Sequence, residues 1–242
     1  MNQQLLYIVK NFETIGENFT IGKRNKIKLI PYNNVILNIK SFKIPSLING
    51  IIYRFFRKSK ARRSYEYAKI LAQKNIGTPN PIAFYENKSA IRLLDSYYIC
   101  EHLKVDYVFI NLFENNVENL DTILTQFAAF TFLLHENGIE FLDHSPGNTL
   151  IKEISQNNYA FYLVDLNRMN FHTEMNFKKR MKNFSRISPS ESMIKIISQE
   201  YARLYQKPTE DVFALMWHYN VKFQRKTQRK KEIKKKLGFK QR

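Results

Sequence analysis

Residues 141–151 read FLDHSPGNTLI, and residues 161–167 read FYLVDLN. Asp143 and Asn148 are five positions apart, and Asp165 stands 22 positions beyond Asp143. A carboxylate on a loop can reach a hydroxyl proton, while a carboxamide one turn later can face back toward a metal ion. A second carboxylate, at the end of an apolar strand, suits a cation that bridges to phosphate oxygens. Pro146 and Gly147 supply the tight turn between the first two groups. The apolar flanks, Thr149-Leu150-Ile151 and Phe161-Tyr162-Leu163-Val164, predict the two strands of a hairpin.

Alone, an Asp and an Asn at this spacing are common by chance. Their surroundings are not. Upstream, residues 119–138, NLDTILTQFAAFTFLLHENG, carry Ile123, Phe127, Phe130, Leu133 and Leu134 at helical spacing, which predicts an amphipathic helix ending at Gly138. Downstream, TLIKEI and YAFYLVDL are two short strands separated by the turn SQNN. Helix, Asp-x4-Asn loop, hairpin and strand-end Asp is the order used by protein kinases.

That pattern also needs a strand lysine for the phosphates and a helix glutamate to hold it. Lys40, in NVILNIKSF, occupies the strand position, with Lys43 as its nearest competitor. Glu66, in SKARRSYEYAKIL, lies on the next predicted helix and can pair with it. In YYICEHL, Glu101 to Leu103 offer backbone groups to an adenine ring. No GxGxxG occurs; Gly16 and Gly22 frame the segment instead, and a backbone-amide cradle at Gly22 competes with an ordinary strand-turn-strand.

The rest of the chain reads coherently. The first forty residues read as strands and turns, with Asn33-Asn34 as a hairpin turn. Apolar spacing through residues 44–77 points to a helix ending near Gly77, and residues 79–103 to two strands around a turn at Glu86-Asn87. From Phe177 the pattern is helical and increasingly basic. The expected fold is α+β and bilobal: a small antiparallel sheet with one helix, then a mainly helical lobe. Its expected divisions are 1–103, 104–221 and a basic tail, 222–242.

Composition narrows the partners. Lys and Arg number 39 against 21 acids, a formal charge of +18 that favours a phosphate-rich substrate, an anionic membrane or nucleic acid. RFFRKSKARR holds six basic residues, and the tail eleven with one acid, Glu232. Arg168, Lys178, Lys179, Arg180 and Arg186 follow the second motif. Cys100 is the only cysteine, which excludes an intrachain disulfide and reads as core packing. The N-terminal residues lack the features of a secretory leader, and no apolar run reaches membrane-spanning length, so a soluble or peripheral intracellular protein is expected.

The segments SKARRSYEYA, TPNPIAFYE, FLDHSPGNTLI and VDLNRMNF resemble the lipopolysaccharide kinase family, the Kdo and core-heptose kinases of Gram-negative bacteria, in a divergent form like that of Bacteroidetes. The resemblance runs from about Gly22 to Tyr205. It implies a protein-kinase-like fold and ATP-dependent phosphorylation of a sugar hydroxyl, Kdo foremost, on the lipid A inner core at the cytoplasmic face of the inner membrane. By position it makes Asp143 the catalytic base and Asn148 and Asp165 the Mg2+ ligands. Lys40 becomes the phosphate-binding lysine and Glu66 its partner.

The chain departs from the wider kinase pattern at Phe141, where His is usual, and at Leu166-Asn167, where Phe-Gly is usual. No Ala-Pro-Glu segment follows, which speaks against a switchable activation loop, and 242 residues are few for a full peptide-binding lobe, which speaks against a protein substrate. Two other readings stay open: a kinase-fold enzyme for an aminoglycoside- or choline-like acceptor, and a basic pseudokinase binding module. A nucleic-acid partner is not expected, and the sequence leaves oligomeric state open.

Overall fold

A computed structural model of the chain describes residues 2–21, 25–113, 117–188 and 190–237. The chain divides into two compact units, Met1–Lys104 with Leu163–Arg168, and Val105–Tyr162 with Met169–Arg242.

The first unit begins with a helix, α1 (Gln3–Lys10), not with a strand. Leu5, Ile8, Val9 and Phe12 fall at i, i+3, i+4 and i+7, and Asn2 caps the start by accepting from Leu5 N. That stripe packs on Ile30, Leu37, Ile39, Ala83 and Ile99 to form the core of the unit. The sheet behind them contains β1 (Glu17–Ile21), β2 (Asn25–Tyr32), β3 (Val35–Phe42), β4 (Pro81–Lys88) and β5 (Leu93–Glu101). Its order is β1-β2-β3-β5-β4, antiparallel throughout. The β2–β3 turn is Asn33-Asn34, with Asn33 at φ 50°, a left-handed position that Asn tolerates well.

Two further helices accompany this sheet, so three occur where sequence spacing suggested one. α2 (Leu47–Phe55) and α3 (Lys60–Gln73) are separated by Ser59, whose hydroxyl accepts from Arg62 N and caps α3. α3 stops four residues before Gly77, because Asn75 turns left-handed at φ 56°. The β4–β5 turn lies at Ser89–Arg92 rather than at Glu86-Asn87, which remain in the strand. The Ser89 hydroxyl accepts from Arg92 N and its own N–H bonds Arg92 O, closing the turn.

The second unit contains β6 (Tyr107–Val108), α4 (Leu120–Glu136), β7 (Ile139–Phe141), β8 (Thr149–Ser155), β9 (Asn158–Leu163) and β10 (Met169–Phe171). It ends with α5 (Phe177–Asn183), α6 (Glu191–Tyr205) and α7 (Thr209–Lys236). Its core joins Ile123, Leu124, Phe127 and Ala128 of α4 to Ile194, Ile197 and Tyr201 of α6 and to Ile151 and Phe161 of the hairpin. Ile123, Phe127 and Leu134 of the expected stripe are buried and Phe130 is partly buried, Leu124, Ala128 and Thr131 widen the inward face, and Leu133 alone of the expected five is exposed. Residue 222 lies inside α7, so the basic run continues a helix as far as Lys236.

Gly138 ends α4 at φ 69° and lets the chain pass tightly beside β10. Its carbonyl accepts from His172 N at 2.8 Å, and a Cβ there would lie 1.9 Å from His172 O. Gly138→Ala therefore combines a left-handed penalty with a backbone clash. The expected loss is about 2 kcal/mol or more, read as a lowered urea midpoint. An unchanged midpoint would contradict the packing described.

Candidate active-site residues

In the first unit the segment Leu163–Arg168 is fastened at three points. Leu163 N donates to Gly77 O at 2.9 Å, and Thr78 Oγ1 donates to Leu163 O at 2.9 Å. Arg63 Nη1 donates to Asn167 O at 2.7 Å. Between these anchors Asp165 adopts φ 58°, a left-handed position that Asp, like Asn, enters more readily than most residues with a side chain.

Its carboxylate meets Lys40. On β3, Leu37 and Ile39 face the α1 side and are fully buried, so alternation sends Lys40 to the other face. Lys40 Nζ lies 2.9 Å from Asp165 Oδ1, and Asn167 Nδ2 donates to the same oxygen at 2.6 Å. Lys40 is thus the strand lysine that meets the acid; none of the contacts described here brings Lys43 to it.

Glu66 does not pair with Lys40. Its two oxygens are taken by Lys58 Nζ at 2.8 Å and by Arg62 Nε at 2.9 Å. The cause is local: Arg62 precedes Glu66 by one helical turn, and Lys58 stands just ahead of the Ser59 cap. Burial alone would raise the Glu66 carboxyl, but the bonds from Lys58 and Arg62 hold it below the usual range.

At the end of β5, Glu101 N is spent on Asn80 O and His102 N on Ile36 O. Among the described residues, Leu103 is the member of this trio whose N–H has no protein acceptor. Gly22, with Lys23 and Arg24, lies outside the described residues. Cys100 is buried, its thiol pushed up to about 12 by that burial, as a packing residue should be.

In the second unit Asp143 and Asn148 share one loop. Asn148 Nδ2 donates to Asp143 O at 2.9 Å across a 3-10 turn, Pro146–Asn148, and Asn148 N bonds Ser145 O. The amide nitrogen is committed, which orients the carboxamide with its oxygen as the remaining acceptor. Arg186 Nη1 binds Asp143 Oδ1 at 2.6 Å and stacks on Phe223. Gly147 is not demanded by sterics, since a Cβ there would meet nothing within 4 Å.

Phe141, in place of the usual histidine, leaves the loop to be held by other means. Asn183 Nδ2 donates to Phe141 O at 2.8 Å, while Asn183 Oδ1 meets His135 Nε2 at 3.1 Å. His135 Nδ1 meets the Tyr201 hydroxyl at 2.7 Å. Arg180 is buried beside this chain, bound to Glu136 Oε1 and Met175 O and stacked on Tyr205. Arg180 therefore serves the interior and not an anionic substrate. Arg63 is likewise buried, with burial lowering its pKa, and leaves the exposed basic cluster. Neither role has a periodic signature; each depends on a carbonyl or carboxylate far away in sequence.

These groups suit hard oxygen chemistry. Asp165 offers a carboxylate and Asn148 a carboxamide oxygen, ligand types that fit Mg2+. No cluster of three or more His, Cys, Asp or Glu stands among the described residues, and Mg2+ held partly by phosphate and water needs none.

No protein-family model and no curated protein matches the chain. Solved structures do. One described as WaaP in complex with acyl carrier protein aligns over 92% of this chain and 92% of its own, with a TM-score of 0.62 and 13% identity. The fold is protein-kinase-like. Matches to 1338 chains show how widely the fold is used, so the fold alone does not choose a substrate.

His144, next to Asp143, is buried among Phe127, Phe141 and Phe184, and neither ring nitrogen has a partner. Burial, helped by nearby His135, pushes its pKa down to about 3, and burial does the same to His135. Both rings stay neutral in the folded state while the unfolded chain takes up protons below pH 6.5. Stability is then fully present above about pH 6.5 and is lost as pH falls toward 3. His144→Phe removes one of these penalties. It should match the wild type at pH 8 and exceed it by about 2 kcal/mol at pH 5, measured by urea unfolding. Parallel pH profiles for the two proteins would refute this.

Proposed function

We propose that the chain is an ATP- and Mg2+-dependent phosphotransferase acting on an alcohol. The observation that carries this reading is the Lys40–Asp165 ion pair at 2.9 Å. A strand lysine and a hairpin-end aspartate, 125 positions apart, are brought together, and these are the residue types that serve the phosphates and the metal in kinase sites. The ordered Asp143–Asn148 loop is the second support.

In this reading Asp143 accepts the proton of the acceptor hydroxyl, and Arg186 fixes the direction of its carboxylate. Asn148 and Asp165 would hold Mg2+, which would supply charge neutralisation for the transferring phosphoryl group. Lys40 would bind the phosphates, and Leu103 N–H would be available to the adenine. Glu66 is assigned to ordering the start of α3, through Lys58 and Arg62, in place of the lysine-holding role expected from sequence. Gly22 is retained as part of the phosphate loop.

For the acceptor we favour a sugar hydroxyl of the lipopolysaccharide inner core, Kdo foremost. The support is the four-motif resemblance, together with a fold shared with WaaP. Such a substrate sits in an anionic membrane. No helix among the described residues is long and apolar enough to cross one. The cationic end of α7 suits peripheral docking, since each Lys or Arg near an anionic surface contributes about 1 kcal/mol. Lys240 and Arg242 lie outside the described residues.

Asp143→Asn and Asp165→Asn should each lower phosphate transfer from ATP by about 10²–10⁴-fold. The variants should keep the wild-type melting temperature in the absence of nucleotide. Wild-type turnover in either variant would remove the site assignment. Incubation with ATP and a Kdo-lipid A precursor tests the acceptor separately. A protein whose melting temperature rises with Mg-ATP but which never labels Kdo would keep the chemistry and lose the sugar.

A further inference from the structure

The α2 helix and the residues around it carry an exposed apolar surface that phosphotransfer does not use. Ile44, Leu47, Ile48, Ile52, Phe55 and Phe56 are all exposed, with Ile48 at 72% and Phe56 at 82%. A scattered apolar side chain at a surface is ordinary, but six within thirteen residues are not. At 3.6 residues per turn, Leu47, Phe55, Ile48 and Ile52 span an arc of about 140° on one side of the helix. The opposite side holds Gly50, which approaches β5 so closely that a Cβ would lie 3.0 Å from Leu93 O. The glycine lets the helix approach the start of β5 closely while its apolar arc stays exposed.

The segment that carries this arc has charge of one sign. No acid occurs from Asn18 to Tyr65. Lys43, Arg57 and Lys60 are exposed, and Arg54 stacks on Phe55. Beside the helix opens a cleft of about 560 Å3, lined in part by Lys43, Ser46, Asn49, Tyr53, Lys60 and Ser96. Two lysines with hydroxyl and amide donors are a fitting surround for a phosphate group.

We infer that α2 is an interfacial anchor, whose apolar arc enters the headgroup and acyl boundary of an anionic bilayer while its basic rim meets lipid phosphates. Apolar residues on one side and cations beside them are the features of helices that lie in a membrane surface. Of the six, Ile44 borders the cleft, while Leu47, Ile48, Ile52, Phe55 and Phe56 are not part of its lining, which fits a soft bilayer better than a folded partner. Nine residues make a helix of about 13 Å, long enough to lie in the interface and too short to cross. The inference concerns a different element from the α7 tail, and it holds whether or not the chain transfers phosphate.

Full-length protein sedimented with vesicles tests it. Vesicles of phosphatidylcholine mixed with phosphatidylglycerol should bind the protein, and phosphatidylcholine alone should bind it far less. Phe55→Ala with Phe56→Ala should reduce partitioning by roughly tenfold or more, with an unchanged melting curve because both rings are exposed. Neutralising Lys234, Lys235 and Lys236 to Gln should leave that Phe dependence in place. In a Trp217→Phe background, Phe56→Trp should shift its emission to the blue on vesicles and be quenched by brominated acyl chains. Absence of vesicle binding would overturn the inference. So would wild-type partitioning of the double Phe variant, or an unshifted Trp at position 56 on bound protein. Self-association in vesicle-free solution that depends on Phe55 and Phe56, without vesicle binding, would assign the face to a second copy of the chain.

Discussion

The attachment of Leu163–Arg168 to the first unit is the constraint on which the proposed chemistry depends. Thr78, the Gly77 carbonyl and Arg63 each make one hydrogen bond to this short segment. Together they fix the backbone on both sides of Asp165, so its carboxylate has little freedom except toward Lys40. A buried arginine is a costly way to hold a loop, because the guanidinium must leave water. Arg63 recovers part of that cost through a charge-assisted bond to Asn167 O. The position of one carboxylate is thus settled by hydrogen bonds to the backbone on either side of it.

A parallel economy operates in the second unit. Many kinase loops are buttressed by a histidine in the position filled here by Phe141. In this chain the carbonyl of that phenylalanine is held by Asn183, which is held in turn by His135 and Tyr201. The imidazole of His135, on the preceding helix, is linked to the loop through the Asn183 carboxamide. A network of this kind is stable only when each member is satisfied.

Much of this was legible in the sequence, and the failures have physical causes. α4 and the β8–β9 hairpin are long or strongly alternating, so their periods dominate. The Asp143, Asn148 and Asp165 spacing is local and survives translation into structure. The first forty residues read as strands and turns, yet they begin with α1, because its buried face, Leu5, Ile8, Val9 and Phe12, becomes decisive only when the sheet supplies a partner. Glu66 was assigned to Lys40 by analogy, and nearer cations took it. Arg63 and Arg180 were counted as surface charge, because a basic residue that bonds a distant carbonyl looks like any other in sequence.

The left-handed backbone at Asp165 has a consequence for how the chain can vary. Of the six non-glycine residues with positive φ among those described, four are asparagines, and the others are Gln206 and Asp165. Such positions admit Gly, Asn and Asp at low cost and penalise most other residues. Backbone geometry therefore screens substitutions at position 165 before chemistry does. Of the three residues that pass readily, only Asp carries a charge. Two independent filters, one steric and one electrostatic, leave a single amino acid, and mutational drift at this position has almost nowhere to go.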